Sequence, residues 1–318
     1  MRVRPSMPAI LTLALVTAML AASGVATAAS LPGVSTGRAA NVTYSSAVLT
    51  GSLAAKGQPT NYFFQYGTNS SYGAQTPLAP GGRATATANV SQLVSGLKPI
   101  TVYHYRLVAF TAAGRTNGAD RTFTTPKIPL SLQLAGVPNP VPFGESFLVE
   151  GALTGTGSAN HAIVLQANPF PYTAGFKTLG NPELTTATGG FSFPVLGLLE
   201  NAQLRVQTLG SPIITSPTVL ENVAVRVSFH ARRTHRRGFV RLYGAVTPAE
   251  VGAQVGFQLL VAGGHTVNEG GTSVKTGTPT VSSFSRTVRL RHSGVYRALV
   301  KVTDGAHVSA YSAPILIR

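Results

Sequence analysis

Along most of this chain, apolar side chains fall at every second position in short runs, and Gly, Pro or Asn breaks the runs at regular intervals. A period of two puts alternate side chains on opposite faces of an extended strand, so the pattern calls for sheets with one dry and one wet face. Ala47 to Leu53 is typical, with Leu49 and Leu53 on one side and Thr50 and Ser52 on the other. Gly (34) and Pro (21) are plentiful and strong helix formers scarce, so long helices are not expected. Only 11% of residues are charged against 44% hydrophobic, so the wet faces should be clad in uncharged polar residues. A chain of 318 residues should divide into two or three domains of about 100 residues. It has no Cys, so each domain must stand on a hydrophobic core, and disulfides, thiolate metal sites and cysteine nucleophiles are excluded.

The N-terminus has the layout of a secretory signal peptide over residues 1–29. Arg2 and Arg4 supply the positive start, Ala9 to Ala22 the apolar run and Ala26-Thr27-Ala28 the small-residue cleavage site. The run is shorter than the ~20 residues that span a bilayer comfortably, and no second apolar span follows. The expectation is a secreted, extracellular protein with no transmembrane anchor after cleavage. Any association with the cell surface would then be non-covalent.

Between Thr36 and Thr125 the strands are expected at Ala47 to Leu53, Asn61 to Tyr66, Arg83 to Val94, Val102 to Thr111 and Asp120 to Thr125. Leu49-Thr50-Gly51-Ser52-Leu53, Asn61-Tyr62-Phe63-Phe64-Gln65-Tyr66-Gly67-Thr68 and Tyr72-Gly73 resemble the early strands of bacterial fibronectin type III modules. Leu97-Lys98-Pro99-Ile100-Thr101-Val102-Tyr103-His104-Tyr105-Arg106 resembles the most recognisable segment of that family, and Gly118 to Thr125 its closing hairpin. The resemblance implies a β-sandwich over residues 30–126. A tyrosine at a sandwich corner sends its hydroxyl back to the backbone a few residues upstream, and Tyr103 is the expected corner tyrosine. Members usually have a Trp in the first sheet. This chain has none, and Tyr62, Phe63 and Phe64 are expected to fill its volume.

Residues 127–222 and 223–318 read as two copies of one unit. Phe147 to Leu153 aligns with Phe239 to Val246, and Gly190-Phe191-Ser192-Phe193 with Ser283-Phe284-Ser285-Arg286. Gln203 to Val206 aligns with Val295 to Ala298, and Ser216-Pro217 with Ala313-Pro314. Both units are similar to bacterial Ig-like surface domains. The fold class expected is therefore all-β, with three tandem β-sandwich domains after a signal peptide, one fibronectin type III-like and two Ig-like.

Few residues are suited to catalysis. Nine carboxylates are spread along the chain without an acid/base spacing, and seven histidines occur without HExxH or a calcium loop. Asp120 and Asp304 read as turn residues, and His104 as a solvent-facing or packing residue. Gly33-Val34-Ser35-Thr36-Gly37 fits the nucleophile-elbow pattern, but in a small-residue linker with no helix to follow. Gly270-Gly271-Thr272-Ser273-Val274-Lys275-Thr276 lacks the glycine a phosphate loop needs before its lysine and reads as a hairpin tip. A non-enzymatic protein without cofactor or metal is expected, acting as a spacer or adhesion module.

Charge is the one feature that speaks of a partner. Residues 223–318 hold 13 Lys and Arg against 3 Asp and Glu, most of the chain's net +16. Arg232, Arg233, Arg236 and Arg237 cluster between two expected strands, so an exposed anion-binding loop is expected there. Arginine grips phosphate bidentately, and such a loop binds polyanions in a salt-dependent way. The alternative function is thus binding of cell-wall or other extracellular polyanions or glycans. Sequence-specific nucleic-acid recognition is not expected, since no recognition helix or aromatic platform accompanies the arginines.

Overall fold

The structure is a computed structural model that describes residues 30–318, so the signal peptide expected over residues 1–29 lies outside the described residues. The described residues are all-β and separate into two compact units, one ending at Pro126 and the other Lys127–Arg318.

In the first unit, Gly33–Thr36, Ser46–Ala54 and Ala88–Ser95 form one antiparallel sheet. The second sheet is built on Thr60–Gly67 and Val102–Thr111, flanked by Ala74–Gln75, Ala79–Gly82, Gly114–Asn117 and Arg121–Thr124. The two sheets share one core, so this unit is a β-sandwich. Alternation governs the packing: Ala47, Leu49 and Leu53 face inward from one sheet and Phe64, Tyr105 and Leu107 from the other, all essentially inaccessible to water. Complete burial of a ring such as Phe64 stabilises the fold by about 2–3 kcal/mol.

Tyr103 takes the hydrogen bond of the Lys98 N–H on its hydroxyl at 2.9 Å, and its ring stacks on Phe123 at 5.6 Å. The expected volume fillers divide. Tyr62 and Phe64 enter the core, whereas Phe63 turns to the opposite face and meets Phe110. Neighbouring positions on a strand cannot share a face. Two further expectations need correction. The segment Gly33–Thr36 is a strand rather than a linker, and the long strand expected from Arg83 begins only at Ala88.

The second unit contains two hydrophobic cores, one from Leu132 to Val223 and one from Val225 to Ile317. Around the first core, Ser131–Leu134, Phe147–Thr154 and Gly190–Val195 face a sheet centred on Ala162–Pro169 and Ala202–Thr208. Around the second, Arg226–Val227, His230–Arg233, Phe239–Thr247 and Ser282–Arg289 face Gln254–Leu260, Thr266–Ser273, Gly294–Lys301, Ala310–Tyr311 and Ile315–Ile317. The stretch from Gly270 therefore lies largely on a strand, not at a hairpin tip.

The two sandwiches repeat each other in detail. Gly151 lies opposite Phe191, and a Cβ there would strike that ring and the Gln133 carbonyl. Gly244 lies opposite Phe284 under the same restriction from that ring and the Ser228 carbonyl. Ser216 Oγ accepts the Val206 N–H at 2.9 Å, and Ser312 Oγ accepts the Ala298 N–H at 2.9 Å. The partner of Ser216 is thus Ser312, one residue earlier than the Ala313 suggested by sequence.

One device recurs in all three sandwiches. Arg106 donates to Gln65 directly across the sheet, Arg205 to Gln166 and Arg297 to Gln258, at 2.8–3.0 Å. Each guanidinium also lies over a ring, Tyr72, Phe176 and Tyr311 respectively.

Candidate anion-binding face

The four arginines expected on a loop are divided between a strand and a turn. Arg232 and Arg233 belong to the strand His230–Arg233, which pairs with Phe239–Thr247, while Arg236 and Arg237 occupy the turn between them. That turn is closed by the Phe239 N–H donating to the Arg236 carbonyl and by the Thr234 hydroxyl donating to the Phe239 carbonyl. Arginine is tolerated on this edge strand because its long stem lets the charge reach water.

Strand register then decides which arginines share a surface. Arg232 lies opposite Arg241, and His230 opposite Tyr243, all on the outer face. On the other side of the same central strand, Phe239 lies opposite Arg289 and Arg241 opposite Thr287. Rings separate the charges: Arg241 sits over Tyr243 at 5.8 Å and Arg236 over Phe239 at 4.2 Å. Arg241 Nε also donates to Ser285 Oγ at 2.8 Å, which fixes its head.

Arg233 takes the other direction. Its position is opposite the buried Val240, at the end of the sandwich, and its Nη2 donates to the main-chain oxygen of Arg318 at 2.9 Å. There Arg233, Arg236, Arg237, Arg291, His292 and Arg318 line a cleft of about 360 Å³. Arg232 does not line it.

None of the eight arginines at 232, 233, 236, 237, 241, 289, 291 and 318 has an Asp or Glu side chain within 4.0 Å. The one guanidinium–carboxylate pair among the described residues is Arg226–Glu145, at 2.9 Å. Like charges directly across a sheet, as at Arg232 and Arg241, oppose pairing by a few tenths of a kcal/mol. No Asp or Glu side chain lies within 4.0 Å of these arginines to relieve it, so the surface is suited to an anion from outside.

Sequence reasoning missed Arg241, Arg289, Arg291, Arg318 and the two rings. The first two stand alone in the sequence, and the signal for them is the alternation itself. In Phe239–Thr247, Val240, Leu242 and Val246 point inward, so Phe239, Arg241 and Tyr243 must point out.

Elsewhere, polar groups form two smaller nodes. In the first unit Asp120 accepts from Tyr72 at 2.9 Å and lies 2.8 Å from His104 Nδ1. Burial opposes its ionisation, but the hydrogen bonds from His104 and Tyr72 outweigh it and hold the carboxyl below its ordinary value. Asp120 is therefore more than a turn residue, and His104 is part of a network. In the second unit Asp304, also expected as a turn residue, meets His307 and Glu250.

No family model matches the chain, and no curated protein matches it in sequence. Among solved structures it is similar to the FN1–FN3 domains of chicken CNTN1 at 14% identity and TM-score 0.27, covering 91% of this chain and 100% of that one. It is also similar to a tetra-tandem repeat from the extending region of a large adhesion protein, at 14% identity and TM-score 0.28, covering 90% of this chain and 74% of that one. A third similarity is to trypsin-activated alpha-2-macroglobulin from Escherichia coli, at 14% identity and TM-score 0.25, covering 85% of this chain and 22% of that one.

Proposed function

We propose that the chain is a non-enzymatic, exported interaction protein whose third sandwich binds phosphate-bearing polyanions outside the cell. The observation that carries this reading is the set of eight arginines on one face and its adjoining cleft, interleaved with Phe239 and Tyr243 and with no Asp or Glu side chain within 4.0 Å of any of them. Guanidinium forks match phosphate geometry and release counterions on binding, whereas the rings between them keep the charges apart and offer flat apolar surface. The remaining sandwiches serve as spacer modules. Several hydrogen bonds at the joint between the second and third sandwiches favour that part of the reading, because a spacer must resist bending.

The test is binding of the full chain to a mixed-sequence single-stranded DNA, used as a phosphodiester probe, across a salt series. Binding should weaken linearly in log–log form with salt, with a slope of about −0.7 per phosphate neutralised. Replacing Arg232, Arg233, Arg236 and Arg237 together by Ser should flatten the slope and remove most of the affinity. Absence of binding at low salt, or an unchanged slope in the variant, would overturn the reading.

A further inference from the structure

The third sandwich also brings together a nitrogen and two carboxylates that nothing in the sequence placed side by side. Asp304 and His307 lie on the loop that follows Gly294–Lys301, and Glu250 on the loop that follows Phe239–Thr247. His307 Nδ1 is 2.6 Å from Asp304 Oδ2 and 2.9 Å from Glu250 Oε1, and the three donor atoms lie within 4.8 Å of one another. The side chains of Glu250 and His307 retain only 11% exposure, while that of Asp304, at 34%, opens the node to water on one side.

A contact from outside the cluster orients the ring. His307 Nε2 lies 2.9 Å from the carbonyl of Leu199 in the second sandwich. Only an N–H approaches a carbonyl so closely, so the proton of a neutral ring belongs on Nε2. Nδ1 faces two carboxylates, and a single proton there would balance only one of their two negative charges, so a divalent cation in the proton's place would complete the balance. Anchoring of the distal ring nitrogen on a backbone carbonyl is also the second-shell arrangement that fixes tautomer and aim in metal-bound histidines. The His307 N–H donates to Asp304 Oδ1 at 3.0 Å, which turns Oδ2 toward the same point.

We propose that Glu250, Asp304 and His307 bind a divalent cation of the zinc class. The imidazole nitrogen disfavours calcium and magnesium, which take oxygen donors. A mixed nitrogen and carboxylate set suits zinc, and three protein ligands leave a fourth position for water. The site has a structural consequence at the joint. The same loop offers the carbonyls of Gly305 and Ala306 to the side-chain amide and backbone N–H of Asn201, at 2.9 and 2.7 Å. A cation that fixes Asp304 and His307 fixes this docking as well.

The experiment is calorimetric titration of zinc chloride into the chelator-treated full chain, with cobalt(II) absorption and the imidazole nitrogen spectrum of His307 as companion readouts. Wild type should take up one equivalent of zinc, show tetrahedral cobalt bands, and shift the Nδ1 resonance while Nε2 keeps its proton. Asp304→Asn, which retains the acceptor for the His307 N–H, and Glu250→Gln should each weaken binding by at least about tenfold. His292→Ala, removing an exposed ring 4.0 Å from Glu269, should not. Zinc should also slow exchange of the Asn201 amide in wild type but not in Asp304→Asn. A His307 ring protonated on both nitrogens and indifferent to zinc would overturn the proposal, as would equal zinc affinity in Asp304→Asn.

Discussion

Glu221→Gln should stabilise the second sandwich by about 3 kcal/mol at pH 8. Glu221 ends the strand Val219–Glu221, opposite Ala202, with no exposure to water. Neither of its carboxyl oxygens has a hydrogen-bond partner. Burial pushes its pKa from 4.5 up to about 7. Because the folded state holds the proton more tightly, the carboxyl costs nothing extra below pH 4.5, where it is neutral in both states. Stability falls as pH rises from there, and the full cost is reached above about pH 7. At ~1.4 kcal/mol for each tenfold change in proton affinity, that cost is about 3 kcal/mol. Glutamine keeps the shape and cannot ionise. Native-state hydrogen exchange of the amides in Ala202–Thr208 reads the local opening free energy without requiring the whole chain to unfold in one step. Wild type should lose about 3 kcal/mol more than the variant between pH 4.5 and 8. Parallel pH profiles for the two proteins would refute the reasoning.

Three further substitutions test the packing and a corner hydrogen bond. Gly244→Ala places a methyl against the Phe284 ring and the Ser228 carbonyl, so it should destabilise the third sandwich by about 1–3 kcal/mol, measured by exchange in Ser282–Arg289. Gly256→Ala, where a Cβ meets nothing within 4 Å, should lack that steric cost. Tyr103→Phe removes the acceptor of the buried-corner Lys98 N–H and should lower the stability of the first unit by about 1 kcal/mol, read by urea unfolding.

Much of the fold was legible because alternation is a local property. Ser46–Ala54, Val102–Thr111 and Phe239–Thr247 announce themselves through every second side chain. What alternation cannot supply is register, and the basic face depends on it. Arg232, Arg241 and Arg289 become neighbours only when three strands pair. The cluster at 232–237 suggested a loop because consecutive arginines carry no period, yet an edge strand accommodates them. Phe63 shows the same limit from the other side, since three adjacent aromatics cannot all enter one core. The node of Glu250, Asp304 and His307 was illegible for a similar reason. Its members come from two loops, and each alone resembles an ordinary turn residue.

The docking of the Gly305–His307 loop has a mechanical consequence. Bonds from Asn201 and to Leu199, the parallel pairing of Val141–Pro142 with Val223–Ala224, and the Ala224–Val308 bridge all span one short crossing of the chain. A load applied to the third sandwich therefore reaches the second through a bundle of short, stiff bonds rather than through a single peptide strand. The pair responds as one lever, with little slack to take up before tension is felt. A pull applied at the arginine-bearing face would be passed on as force rather than lost in a swivel.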